Sequence, residues 1–399
     1  TALDATLAAN LSTITAGTVT AAFSADGTFT GNLGTAVTTV AAAKTLTTTA
    51  AIADGKTIGG GSGTVALTAL DATLAANLST ITAGTVTAAF SADGTFTGNL
   101  GTAVTTVAAT KTLTTTAAIA DGKTITGASD GSIAITDLHS TLGAVLTGLT
   151  SGSGTVTAAF DGNGTFTGVL GTTVTTVATG VTMTAAANVV AGKTVNKAGT
   201  GALAVQVGSA DAAVDLTTIA GTAFASVTVT ETVTFTGTLD DSVSTIVADS
   251  VTLTSAFNKL SGKTVNHDGT QSNQAIVVTI AATDASADLN TITTNVNDLT
   301  ATFTETQTFT GNLISKTAGV SNGVTVTAAA SVLTGQTVAA SGTGNIVVTS
   351  LHSTLAANLS GLSSVSGTVT AAFGSNGTFT GNLGTAVTTV ASGVTLTAA

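Results

Sequence analysis

The stretch Thr18-Val19-Thr20-Ala21-Ala22-Phe23, followed four residues later by Thr28-Phe29-Thr30-Gly31-Asn32-Leu33, decides how this chain is read. Val19, Ala21 and Phe23 fall on one face. Phe29, Gly31 and Leu33 fall on one face as well, with Thr28, Thr30 and Asn32 opposite. A period of two is the strand signature, and β-branched Thr and Val suit a pleated, half-buried surface. Further short strands are expected around Val37–Val40, Leu46–Thr49, Thr57–Ile58 and Val65–Leu67, separated by corners such as Ala25-Asp26-Gly27 and Asp54-Gly55. Leu3, Leu7, Leu11 and Ile14 have helical spacing, so a short helix is expected there, its length limited by Ser12, Thr13 and Thr15.

The stretch recurs. Thr-Phe-Thr-Gly begins at Thr28, Thr95, Thr165, Thr234, Thr308 and Thr378, at spacings of 67, 70, 69, 74 and 70 residues. Residues 1–58 and 68–125 match except for Ala43 against Thr110. A fixed period marks an array of one structural unit, here 1–67, 68–137, 138–206, 207–280, 281–350 and a partial 351–399. A catalytic site needs one unlike constellation rather than six like ones, so no catalytic residue is assigned and an enzyme is not expected. The last copy lacks the segment that follows in earlier ones, which reads as a piece of a longer array.

An all-β chain with this pattern is either a β-solenoid, with a short helix in each repeat, or a string of tandem β-sandwiches. Three features favour one continuous solenoid. No polar or Pro-rich linker separates the units. Each unit holds too few large residues for an independent core of about 70 residues, whereas stacked neighbours complete one another's core. Phe also recurs at fixed places: Phe29, Phe96, Phe166, Phe235, Phe309 and Phe379 at one position, and Phe23, Phe90, Phe160, Phe303 and Phe373 at another, with Val229 in the fourth copy. These eleven are expected to form a ladder in the core. Coils of about 20–25 residues would place about three in each repeat and a rod on the order of 85 Å in the chain.

Composition narrows the role. Among 399 residues there are 46 Gly, no Pro, no Cys, no Trp, no Tyr and 7% charged residues, with 43% hydrophobic. So apolar a chain with so few charges is not disordered. Without Pro every residue keeps a backbone donor, which suits a structure made of hydrogen-bond ladders. Lack of Cys removes thiol chemistry and disulfides. The net charge of −11 disfavours nucleic acid, and no apolar run is long enough to span a membrane.

The chemical motifs read as structure. Gly55-Lys56-Thr57 recurs at Gly122, Gly192 and Gly262 and becomes Gly335-Gln336-Thr337. A phosphate-binding loop also needs Gly five residues earlier, where Ala50, Ala117, Ala187 and Phe257 stand; a turn with an exposed Lys accounts for the motif. His139, His267 and His352 show no metal-ligand spacing and are expected at the surface or in corners, so no metal site is assigned. No strand-to-helix nucleophile elbow is present. Between the two Phe positions the corner reads Ser24-Ala25-Asp26-Gly27 in the first copy, Thr230-Glu231-Thr232-Val233 in the fourth and Gly374-Ser375-Asn376-Gly377 in the sixth. Its length is kept while its chemistry changes, the behaviour of a surface corner. No resident cofactor is expected, and calcium at the Asp-Gly and Asn-Gly corners would be adventitious. Thr18/Thr20, Thr28/Thr30 and Thr45/Thr47 are expected to face outward, as in ice-binding solenoids.

The segments Thr-Phe-Thr-Gly, Ala-Asp-Gly-Lys-Thr and Leu-Asp-Ala-Thr-Leu-Ala-Ala-Asn-Leu, with the Thr/Ala/Val/Gly composition, resemble the large exported β-strand repeat proteins of cyanobacteria and other aquatic bacteria. The resemblance covers the whole chain and implies an extracellular or cell-surface role in a surface layer, a fibre or an adhesin. The expected partners are other copies, joined end to end because no capping segment stands at Thr1 or Ala399, with cell-surface polysaccharide as the adhesin alternative.

Overall fold

A computed structural model describes residues 3, 7–15, 17–268, 275–295, 299–314 and 317–398; Thr1 and Ala399, on which the uncapped-end expectation rests, lie outside them. Strand is the main regular structure, 45% of the chain against 11% helix, and the strand pairings among the described residues are parallel. Contacts divide it into two compact units. The first comprises Thr1–Ala185, Gly192–Leu203 and Ile219–Phe224; the second comprises Ala186–Ala191, Ala204–Thr218 and Ala225–Ala399. The division falls inside the third and fourth copies rather than between repeats.

In the first unit the strand Gly94–Phe96 pairs with Thr112–Thr116, which pairs with Ser132–Thr136, which pairs with Val156–Phe160. Ile81–Phe90 pairs with Val104–Val107, then Ile125–Gly127, then Leu149–Ser151. Strands of the two series alternate along the chain, so each parallel neighbour lies one full excursion away. The second unit repeats this scheme. Val233–Phe235 pairs with Thr252–Ala256, then Ala275–Ile280, then Leu299–Phe303. Gln307–Phe309 likewise starts a series through Thr325–Ala329, Asn345–Thr349 and Val369–Phe373.

The register shows how the core is filled. All eleven phenylalanines singled out above are buried, but among the described pairings no Phe stands beside another Phe along a column. In the first unit one column runs Phe96, Thr115, Ile135, Ala158; in the second, columns run Phe235, Ser255, Val278, Ala301 and Phe309, Ala328, Val348, Ala371. Large and small residues alternate because rows sit only about 4.8 Å apart and a close-packed interior has no room for a benzyl group at every level. The other Phe position stands beside Val: Phe23 on Val40, Phe90 on Val107, Phe160 on Val177, Phe303 on Val320 and Phe373 on Val390. Within a copy the two rings meet edge to face, with centroids 5.6 Å apart for Phe23 and Phe29, 5.0 Å for Phe303 and Phe309 and 5.5 Å for Phe373 and Phe379.

The Gly of Thr-Phe-Thr-Gly is required by the approach of the preceding turn. A Cβ on Gly98 would lie 2.1 Å from the Ala76 carbonyl oxygen, and one on Gly311 2.0 Å from that of Ala287.

Of the helix expected at Leu3–Ile14, the described residues 3 and 7–14 show none. In the fully described second copy the same sequence gives a three-residue 3-10 turn, Leu70–Ala72, then turns and a bridge from Asn77 to Asn99. Leu70, Leu78 and Ile81 are buried while Leu74 is exposed, so the leucines of this irregular segment do not share one inward face and the four-residue spacing is not a helical stripe. Helix forms where no periodicity announced it, at Ala50–Ala53, Ala117–Ala120, Ala187–Val190, Phe257–Leu260 and Ala330–Leu333. These single turns bury their first and last residues at Ala50 and Ala53, and small side chains let the turn lie against the core.

Candidate functional site

Side chains that join one excursion of the chain to the next recur in every copy. Asp26 Oδ1 accepts a hydrogen bond from the Thr45 N–H at 2.7 Å. The matching corner atoms are Asp93 Oδ1 to Thr112 N at 2.7 Å, Asn163 Oδ1 to Thr182 N at 2.7 Å, Thr232 Oγ1 to Thr252 N at 3.1 Å, Thr306 Oγ1 to Thr325 N at 3.0 Å and Asn376 Oδ1 to Thr395 N at 2.6 Å. The corner that looked free to vary therefore keeps one property, a short side chain with an oxygen acceptor. It satisfies an N–H at the start of the next strand, which would otherwise lack a ladder partner.

The Lys of Gly-Lys-Thr does the converse. Lys56, Lys123 and Lys193 reach back and donate to the carbonyls of Gly34, Gly101 and Gly171, at 2.9, 2.8 and 2.6 Å. Those glycines have positive φ near 55–60°, which turns their carbonyls out of the ladder. Lys263 donates to the Leu239 carbonyl at 2.8 Å and pairs with Asp241. These lysines are half-buried, so the exposed turn Lys expected from the sequence is corrected to an anchored one. Lys56 and Asp54 border an open groove of about 410 Å³, and Lys123 and Asp121 its counterpart of about 260 Å³. In both, Asp Oδ1 already accepts a backbone N–H, from Asn77 or Val145 at 2.8 Å.

A third joining position carries the least uniform chemistry. In the second copy Asp71 accepts from the N–H and hydroxyl of Ser91, both at 2.8 Å. Desolvation pushes the Asp71 carboxyl up, but these bonds and its own N–H outweigh it and hold the group below its ordinary value. In the fourth copy Ser209 occupies the first place, and its N–H and hydroxyl donate to Glu231 Oε2 at 2.9 and 2.7 Å. Those bonds lower the Glu231 carboxyl. In the fifth, the Ala282 N–H donates to Glu305 at 2.8 Å. In the sixth, His352 stands opposite Gly374, and its Nδ1 is buried without a hydrogen-bond partner.

The third copy differs from all of these. His139 Nδ1 lies 2.6 Å from Asp161 Oδ1 and 3.3 Å from Asp137 Oδ1. It is the one place among the described residues where three metal-ligating side chains converge. Sequence spacing gave no sign of it, because Asp161 becomes a neighbour only through the return of the chain 22 residues later. The third histidine, His267, is buried in the strand Val265–His267 rather than at the surface, with its N–H donated to Asn295 Oδ1 at 2.9 Å.

Of the outward threonines, Thr18, Thr20, Thr28 and Thr30 are exposed, while Thr45 and Thr47 are half-buried. No helix among the described residues is long and apolar enough to cross a membrane. Comparison with protein-family models, with curated proteins and with solved structures finds no match.

Proposed function

We propose that this chain is a structural repeat protein of a bacterial surface, a β-solenoid that serves as a rod or filament in a surface layer, fibre or stalk and associates end to end with further copies. The observation that supports this reading is the corner acceptor that recurs in all six copies, each joining strand starts 19 or 20 residues apart. Parallel neighbours cannot be joined by a hairpin. When each lies about 20 residues from the last and the intervening chain supplies a strand to another series, the economical path is a coil. In such a path the backbone ladders run along the molecule, and each coil completes the core of its neighbour. The work of such a protein is mechanical, and its open strand edges pair with another copy. Tandem β-sandwiches are built from antiparallel pairs, unlike the parallel rows here.

The second reading is a binding module, supported by the exposed Thr18, Thr20, Thr28 and Thr30: an adhesin against cell-surface polysaccharide, or an ice binder. Electron microscopy of the purified chain separates the readings. Filaments with strand rows at about 4.8 Å along the axis support the structural role. Isolated particles at high concentration that retard ice growth or bind polysaccharide replace it with the second.

A further inference from the structure

We propose that Asp137, His139 and Asp161 bind one divalent first-row transition-metal ion, of the zinc, nickel or copper class, which ties two successive excursions of the chain together. Three observations carry this. The donor set is one imidazole nitrogen and two carboxylate oxygens whose ligating atoms lie within 4.8 Å of one another. That mixture suits borderline transition ions and not calcium or magnesium, which prefer oxygen alone. Next, both carboxylates point at the same nitrogen, Nδ1, at 2.6 and 3.3 Å. One imidazole proton cannot serve two carboxylates equally, and two negative groups converging on one atom leave charge that a dication would neutralise. Last, the ring is held in place. A Cβ at Gly162 would lie 2.4 Å from His139 Cδ2, so the imidazole packs flush on the glycine backbone and keeps its Nδ1 edge towards the two Asp residues.

The fit requires the three side chains to adjust around the ion. For bonds of about 2.1 Å, neighbouring donors in a tetrahedral or octahedral site stand about 3.0–3.4 Å apart. The Asp137 contact already has that length, and the Asp161 contact must open by about 0.4–0.8 Å to admit the metal. Side-chain exposures of 36% for His139, 44% for Asp137 and 46% for Asp161 leave the outer side open to water ligands. The other copies show that the fold does not need this trio: the places of Asp137 and His139 are taken by Ala69 and Asp71 in the second copy and by Ser350 and His352 in the sixth. What the third copy adds is a ligand set. Metal bound there favours the folded turns over the open ones.

The test is calorimetric titration of the full chain with zinc chloride and, separately, nickel chloride, paired with imidazole NMR signals during copper addition. The expected result is one saturable ion per chain, with selective broadening of His139 and not of His267 or His352. Asp137→Ala and His139→Ser copy residues that matching positions already carry and should keep the fold; each should weaken binding at least about tenfold. His352→Ala should leave binding unchanged. The proposal is overturned by binding that survives both substitutions, by broadening of another histidine, by equal affinity for calcium, or by no saturation.

Discussion

Replacing Asp93 separates charge from hydrogen bonding at the corner that joins the rows. Its Oδ1 accepts the Thr112 N–H at 2.7 Å, at the start of the strand Thr112–Thr116. A hydrogen bond to a charged group contributes about 1.5–3 kcal/mol, and exposure of the carboxylate reduces that to about 1 kcal/mol. Because repeat arrays open locally, the readout is amide exchange at Thr112 rather than global unfolding. Asp93→Ala should raise the Thr112 exchange rate by about fivefold. Asp93→Asn and Asp93→Thr should leave it within about twofold, because Asn163, Thr232, Thr306 and Asn376 make the same bond in other copies. If Asp93→Asn accelerates exchange as much as Asp93→Ala, the carboxylate charge and not the acceptor geometry holds the rows, and the reasoning fails.

Gly98→Ala should cost about 3 kcal/mol or more, since its Cβ meets the Ala76 carbonyl, whereas Gly122→Ala, with open space around it but φ near 64°, should cost about 1 kcal/mol; thermal unfolding and soluble yield compare them. Thr115→Leu should destabilise by about 1–3 kcal/mol through overpacking beside Phe96 and Ile135, while Thr115→Ala loses only the 3.0 Å bond to the Phe96 carbonyl, about 1 kcal/mol; denaturant melts rank the two. The lowered carboxyls of Asp71 and Glu231 favour the folded state above the unfolded carboxylate range, and that contribution disappears as pH falls through their folded values. Ser209→Ala should move the Glu231 midpoint, followed by carboxyl NMR shifts, back up towards its ordinary value.

Much of the strand pattern was readable because period-two alternation is local. Val37–Val40 appears as expected, and Leu46–Thr49 is extended by one residue to Thr45–Thr49. Leu3, Leu7, Leu11 and Ile14 misled because apolar residues can recur every three or four positions in an irregular segment without sharing a face: Leu3 is buried while Ile14 is exposed, and in the matching segment of the second copy the only helical backbone is the 3-10 turn Leu70–Ala72. The short helices escaped notice because four residues are too few to display a period, and the packing of Ala50 and Ala53 creates them rather than intrinsic propensity. Repeat number and the buried character of the Phe positions are properties of near neighbours in the chain, and the sequence alone determined them; the faces were legible only in part, since Val37 and Val104 are exposed while Thr38 and Thr105 are buried. Tertiary structure decided which small residue sits beside each Phe, which oxygen caps the next row's N–H, where the lysines anchor and that Asp161 meets His139. Each of these joins residues roughly 20 apart, and their meeting depends on the length of each excursion of the chain, a quantity no local pattern encodes.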